Sequence, residues 1–394
     1  MTDRIVVLSD VHLGQGGSAD LFGEDDALVA MLEQHAADPS VRRIVLLGDT
    51  VELVDEQPSR RRGSDGSDAA VERMSAVWRA HPDVLQGLRA TLRAGKFVTV
   101  VRGNHDAELA RPAVQAALAQ TLGAPDSHLE VVVPWLWHVP GLLLAEHGHQ
   151  HHDINAFDHI LTPFTDAAHD HVQEPFGATL GRLHHGGRSP ALLAATATVA
   201  AGQEALRMVS PHRTRSRMLY RRDVLPSYAL DIALPPATVD AIDRLTEVQP
   251  HRVVRRLVRQ LLPPESHGGY LPQAAGQVAH LLQDHAPRFL VFGHTHAADA
   301  RPLTEGTTYL NTGTWCSRGP RPGDSSLADV TSTWVEIDLV DEPGHACAKV
   351  LHWSKAGSAE LLAEVDPSGT VQPTRPAPFP DYAACRMRGA GSGA

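Results

Sequence analysis

Carboxylate, amide and imidazole side chains recur in five short clusters along the chain. These are Asp10-Val11-His12, Gly48-Asp49, Gly103-Asn104-His105-Asp106, Glu146-His147-Gly148-His149 and Gly293-His294-Thr295-His296. Asp10, His12, Asp49, Asn104, His147, His294 and His296 together offer carboxylate, amide and imidazole donors, with no thiolate among them. Oxygen and nitrogen donors without sulfur suit Mn²⁺ first, with Fe or Zn²⁺ as alternatives, better than a structural zinc–cysteine site. Seven donors are too many for one catalytic ion with an open position. Divided over two ions about 3.5–4 Å apart that share one bridging carboxylate, they suit phosphoryl displacement, where the pair clamps the attacking and leaving oxygens. A hydroxide bridging the ions is then the natural nucleophile. A single D-x-H or G-D means little, whereas five clusters of one chemistry form a specific signal.

Something must bring these clusters together. Short apolar runs at Ile5–Leu8, Ile44–Leu47, Phe97–Val101, Leu142–Ala145 and Phe289–Phe292 each end just before a cluster, and read as buried strands. Ligands gather beyond the carboxyl ends of strands in layered α/β proteins. Residues two apart leave a strand on one side, so Asp10 with His12, and His294 with His296, can share a pocket. Gly48, Gly103, Gly148 and Gly293 allow tight turns beside a crowded site. Further strands are expected at Val131–Val133, Thr308–Asn311, Thr333–Leu339 and, as the last, Cys347–Trp353. Helical patterns occupy Asp25–Ala37 and Val71–Ala94, the second interrupted near Pro82, and Gln57–Asp68 reads as a mobile surface loop. Strands alternating with helices indicate an α/β layered fold.

The remaining chain divides by pattern. Between about His151 and Ala286 apolar residues fall at helical spacing, as in Ala191–Val209, Pro236–Leu245 and His251–Leu262, and the strand pattern vanishes. The expected organisation is a catalytic domain over 1–150 and 286–353, a helical insertion or cap over 151–285, and an extension over 354–394. Its Pro- and Gly-rich tail from about Asp366 is expected to be poorly ordered.

Composition bounds the function. A chain of 394 residues, 42% hydrophobic and 21% charged, can bury a substantial core. The net charge of −11 offers no clear nucleic-acid track. Cys316, Cys347 and Cys385 are widely spaced and form no disulfide framework, which indicates a reducing compartment. No signal peptide or transmembrane segment is expected, and the chain reads as cytoplasmic.

The ordered series D-x-H, G-D, G-N-H-D, H-G-H, G-H-T-H resembles the calcineurin-like metallophosphoesterase superfamily. The resemblance covers roughly 5–149 and 288–339. It implies a four-layer αββα sandwich carrying a dinuclear centre that hydrolyses phosphomonoester, phosphodiester or pyrophosphate bonds. It further implies that Asp10, His12, Asp49 and His296 hold one ion. Asp49 as bridge, with Asn104, His147 and His294, holds the other. His105 then lies near the leaving group, with Asp106 as a candidate to orient it. Many relatives carry an Asp four residues into the second motif; here Glu52 stands near that position. His149, His151, His152 and Asp153 exceed the family's needs, and read either as surrounding groups or as contacts for substrate phosphate or a further ion. Asn311-Thr312-Gly313-Thr314 resembles a strand-end turn that supports the site.

The substrate is expected among phosphorylated small molecules, nucleotides and lipids. A pyrophosphatase acting on a nucleotide-linked lipid, similar to UDP-diacylglucosamine pyrophosphatase, is one alternative; those relatives often have Arg where this chain has His105. A non-catalytic metal-binding scaffold is another. The arginines of His212–Arg222 and His251–Leu262 read as a solvated face, as a cap reaching substrate phosphate, or as a peripheral membrane contact.

Overall fold

The structure, a computed structural model, describes residues 3–17, 20–54, 66–124, 128–132, 136–152, 155–157, 163–164, 172–173, 270–282, 286–304, 306–316, 330–340 and 343–374. The chain runs β1 (Asp3–Leu8), α1 (Asp25–Ala37), β2 (Val41–Leu47), α2 (Gly66–Ala80), α3 (Pro82–Arg93) and β3 (Phe97–Val101). It continues with α4 (Pro112–Leu122), β4 (Leu129–Val132), β5 (Leu136–Val139), β6 (Leu143–Glu146), α5 (Tyr270–Leu282) and β7 (Phe289–Phe292). The final elements are β8 (Ala298–Thr304), β9 (Thr307–Thr312), β10 (Thr333–Leu339), β11 (Ala348–Trp353), β12 (Ala359–Val365) and β13 (Val371–Pro373).

Two sheets face each other. The first has the order β13-β12-β11-β10-β1-β2-β3-β4 and is parallel from β1 to β4. The second has the order β5-β6-β7-β9-β8, with β6, β7 and β9 parallel. Side chains of the first sheet alternate between two cores, as a period of two requires. Ile5, Val7, Val45, Leu47, Val101, Val335 and Ile337 point to the second sheet. Val6, Leu8, Ile44, Leu46, Val98, Val100 and Trp334 point to the helices, where Met31, Met74, Leu88 and Leu118 of α1 to α4 cover them. Both faces of the strands are apolar because both are buried. The expected αββα layering is the observed one.

Three elements extend the sandwich beyond the expected strands and helices. Helix α5 lies within the span read as an insertion, yet Leu271, Ala275, Val278 and Leu282 recur at three- and four-residue spacing and pack into the core of the second sheet. It is the sandwich's fourth layer. The first sheet likewise does not end at Trp353. Strands β12 and β13 extend it by antiparallel pairing, so 359–373 belongs to the sheet and not to a separate tail. Their edge pairing, more than any strong apolar run, makes them strands. Edge strands β5 and β8, and helix α4, lie where the sequence pattern predicts no element. The expected helices at Ala191–Val209, Pro236–Leu245 and His251–Leu262, the arginine-rich 212–222, residues 57–65 and the tail from 375 lie outside the described residues. No helix among the described residues is long and apolar enough to cross a membrane.

A polar clasp fixes the loop that follows β1. The buried Asp20 carboxylate accepts the amides of Gly14 (3.2 Å), Gly16 (2.9 Å) and Phe22 (3.0 Å). His81, at the junction of α2 and α3, bonds Asp20 through Nε2 (3.0 Å) and Asp25 of α1 through Nδ1 (2.8 Å). Burial pushes the His81 pKa down, but both carboxylates outweigh it and the net shift is upward. A histidine raised in the folded state contributes stability in full below its unfolded value, near pH 6.5, and loses it as pH rises through the raised value. The expected outcome is that His81→Gln destabilises the protein most near pH 6, with the gap to wild type shrinking as pH rises. Urea unfolding across that range checks it.

Candidate metal centre

Backbone hydrogen bonds join the loops beyond β1, β2 and β3 to one another and the loop beyond β6 to that beyond β7, and the two sets are linked where His294 N donates to Asp10 Oδ2 and His147 Nδ1 to Leu47 O. Asp10 N donates to Gly48 O (3.1 Å), His12 N to Asp49 O (2.9 Å), Leu53 N to His105 O (3.1 Å) and Gly293 N to His147 O (3.1 Å). The five clusters therefore meet at one edge of the sandwich. Asp10, His12, Asp49, Asn104 and His147 are almost fully buried there.

Each aspartate is held by one oxygen and presents the other. Asp10 Oδ2 accepts the His294 amide (2.8 Å) and the Ser9 hydroxyl. Its Oδ1 has no hydrogen-bond partner and faces His296 Nε2 (3.3 Å), His12 Nε2 (3.9 Å) and His147 Nε2 (3.9 Å). Asp49 Oδ1 accepts the His105 amide (2.8 Å), while Oδ2 faces His147 Nε2 (3.0 Å) and His12 Nε2 (3.8 Å). The imidazoles are oriented in the same manner. His147 donates Nδ1–H to Leu47 O (3.0 Å), and His12 places Nδ1 on Glu52 (3.2 Å), so Nε2 of each turns inward. A ring nitrogen of His294 lies within 4.8 Å of the ligand atoms of Asp49 and His147.

Backbone conformation is spent on this convergence. Asp10, His12, Asp49, His294 and His296 have φ between 50° and 69°, and Ser332 is the sole other non-glycine described at positive φ. Left-handed backbone is uncommon away from glycine and clusters at functional sites. Three glycines clear the space. A Cβ on Gly48 would lie 2.5 Å from the His147 ring, and on Gly103 or Gly293 it would collide with Asp49 or with Ser9 and Asp10.

At the rim, His105 is about a quarter exposed and edge-on to His12, with ring centroids 4.7 Å apart. Its Nδ1 bonds both oxygens of Glu52 at 2.9 Å. The orienting contact sought in Asp106 is thus made by Glu52. Asp106 instead accepts the amides of Thr50 (2.8 Å) and Gly103 (2.5 Å), fixing the second and third loops against each other. Burial, reinforced by the Asp49 charge, lifts its carboxyl to about 6. Burial also pushes Glu52 up, but His105 and His12 outweigh it and bring its carboxyl down to about 2. His105 is pushed down by burial and raised further by Glu52 and Asp49, for a net upward shift.

The additional histidines divide. His152 Nδ1 lies 3.0 Å from His294 Nε2, at the centre's edge. His149 is buried against Phe157 and lies 5.4 Å from the His147 ring, whereas His151 stacks on Phe292 and contacts Glu146. Asp153 lies outside the described residues. One residue was overlooked: Cys316, two positions beyond the Asn311–Thr314 turn, is buried with its sulfur within 4.8 Å of ring nitrogens of both His12 and His296.

The donor set fits two ions. Asp10 Oδ1, both amide atoms of Asn104 and His147 Nε2 are buried without a hydrogen-bond partner, and buried polar atoms are rarely left so. His12 Nε2 and His296 Nε2 face each other at 3.2 Å, an arrangement that a cation reconciles. Asp10, His12 and Asp49 form one group of adjacent ligand atoms, and Asp49, His147 and His294 a second, with Asp49 common to both. Asp49→Asn is therefore expected to reduce bound metal at both positions together, and His12→Ala mainly at one; elemental analysis after Mn²⁺ saturation checks this. Burial pushes His147 down, but Asp49 and Asp10 hold it up at about 9. Metal uptake near neutral pH must displace that proton, so affinity should rise with pH up to about 9. Calorimetry in buffers of different ionisation enthalpy reads the released proton.

The family model for the calcineurin-like phosphoesterases matches residues 3–205, more than half of the chain. None of the curated proteins compared with it matches. Among solved structures, a dimetal phosphatase from Danio rerio is similar at 14% identity, covering 88% of this chain and 95% of its own, with a TM-score of 0.36. Vps29 from Chaetomium thermophilum is similar at 9% identity, covering 93% of this chain and 100% of its own, with a TM-score of 0.31. With the αββα layers, the loops at the strand ends and the matched segment in agreement, the chain belongs to the calcineurin-like phosphoesterase family.

Proposed function

We propose that the protein is a two-ion phosphoesterase of the cytoplasm, hydrolysing phosphomonoester, phosphodiester or pyrophosphate bonds in a phosphorylated small molecule, nucleotide or lipid. The observation that carries the reading is the shared carboxylate. Asp49 presents Oδ2 to imidazoles of both halves of the centre, while its Oδ1 is anchored on the loop that bears His105. When bound, two divalent ions supply a nucleophile at neutral pH and positive charge against the phosphoryl oxygens.

The chain's own residues do the rest. Asp10, His12 and His296 define one position and Asn104, His147 and His294 the other. His105 stands at the partly exposed rim, with Nδ1 engaged by Glu52 and Nε2 left as the ring atom for substrate. The carboxylate favours the protonated ring, so His105 can hold a proton at Nε2 and give it to a departing oxygen. Glu52 also bonds His12, which couples the orientation of the proton donor to that of a ligand.

Metal-stripped protein should be inactive and regain turnover with Mn²⁺ on p-nitrophenyl phosphate, bis-p-nitrophenyl phosphate or nucleotide pyrophosphates. Metal binding without turnover on any of them would support the scaffold instead. A general acid contributes about 10²–10⁴-fold, and more for a basic leaving group. His105→Asn is accordingly expected to keep its metal and to lose far more activity on alkyl phosphates than on nitrophenyl esters. Glu52→Gln should show a milder form of the same pattern. Equal losses on both ester classes would assign His105 to binding phosphate oxygens.

A further inference from the structure

We propose that Cys316 supplies its sulfur as a ligand to the ion held by Asp10, His12 and His296, which makes one position of the centre a mixed nitrogen, oxygen and sulfur site. The inference rests on the two-ion reading above.

Three observations carry it. First, Sγ of Cys316 and ring nitrogens of His12 and His296 lie within 4.8 Å of one another. They can share one ion, whose bonds to sulfur and nitrogen run about 2.3 Å and about 2.0–2.1 Å. Second, Asp10 Oδ1 is wholly buried, has no hydrogen-bond partner and points among the same imidazoles. Third, the cysteine is locked in place. Thr314 Oγ1 (2.9 Å) and Trp315 N (3.0 Å) donate to Asp10 O, Cys316 N donates to Thr314 Oγ1 (3.0 Å), and buried Trp315 donates Nε1–H to Thr333 O (2.9 Å).

The Cys316 thiol donates to Asp10 O across 3.8 Å. That carbonyl already receives Thr314 and Trp315, which use its two lone pairs. The thiol is thus a third and more distant donor to that carbonyl. On metal binding the S–H bond breaks, the proton goes to solvent, and the sulfur electron pair forms the bond to the ion. No electron is transferred. A thiolate shifts preference from Mn²⁺ towards softer ions such as Zn²⁺.

Co²⁺ serves as the probe. The wild-type protein should show visible d–d bands and a near-ultraviolet thiolate-to-cobalt charge-transfer band. Cys316→Ser should retain the visible bands and lose the near-ultraviolet one. Its preference for Zn²⁺ over Mn²⁺ in competition should fall about tenfold to a hundredfold, the scale on which neighbouring groups tune a metal. The double variant Cys347→Ser/Cys385→Ser keeps Cys316 as the sole thiol of the chain. It should keep both bands, which tests the assignment even if Cys316→Ser does not fold. Visible bands without the charge-transfer band in wild type, or a charge-transfer band that survives in Cys316→Ser, would overturn the sulfur ligand while leaving the centre standing. Absence of both bands in wild type would overturn the centre, and the ligand with it.

Discussion

Two buried carboxylates, Asp10 and Asp49, both face the Nε2 atoms of His12 and His147. Like charges in a poorly hydrated interior repel strongly unless positive charge lies between or beside them. Almost every local feature of the strand-end edge follows from that constraint. One oxygen of each carboxylate is neutralised in part by a backbone amide, from His294 for Asp10 and from His105 for Asp49. The other is turned towards imidazoles, whose far nitrogens are pinned by Leu47 and Glu52. The inward lone pairs are thereby committed to whatever cation the site holds.

The sandwich supplies rigidity for this arrangement. Parallel strands β1, β2 and β3 place successive loops side by side, and β6 and β7 bring theirs from the facing sheet. A single apolar core between the sheets sets the distance between the two sets of ligands. The clasp of Asp20, His81 and Asp25 ties the first loop to the helical layer as well. Ligand spacing is in this sense a property of both cores and not of the loops alone.

Much of this was legible before the structure. The runs ending at Leu8, Leu47, Val101 and Phe292 are strands because both faces are buried, which makes them continuously apolar and easy to recognise. The strand-end loops that carry the seven expected ligands come to one edge. What escaped detection depends on tertiary context. Strand β8 contains Asp299, Arg301 and Pro302, and is a strand because it pairs with β9 at a sheet edge. Helix α5 has a periodic apolar face, but nothing local says which surface receives it. Asp106 follows His105 directly, yet it turns towards the loop amides, while Glu52 reaches His105 from another strand end. Cys316 stood outside every recognisable cluster. The only sign was its closeness to a turn already read as support.

The left-handed backbone at Asp10, His12, Asp49, His294 and His296 has a bearing on how this chain tolerates change. A non-glycine residue in that conformation costs roughly 1–2 kcal/mol, somewhat less for Asp and other short polar residues. Glycine at any of these positions would relieve the backbone and delete a donor in one step. Drift governed by folding alone therefore runs downhill towards an inert protein, and selection for heat resistance in the absence of metal would enrich the same substitutions. Stabilising this scaffold while keeping its chemistry calls for metal in the screening buffer, so that fold and ligands are judged together.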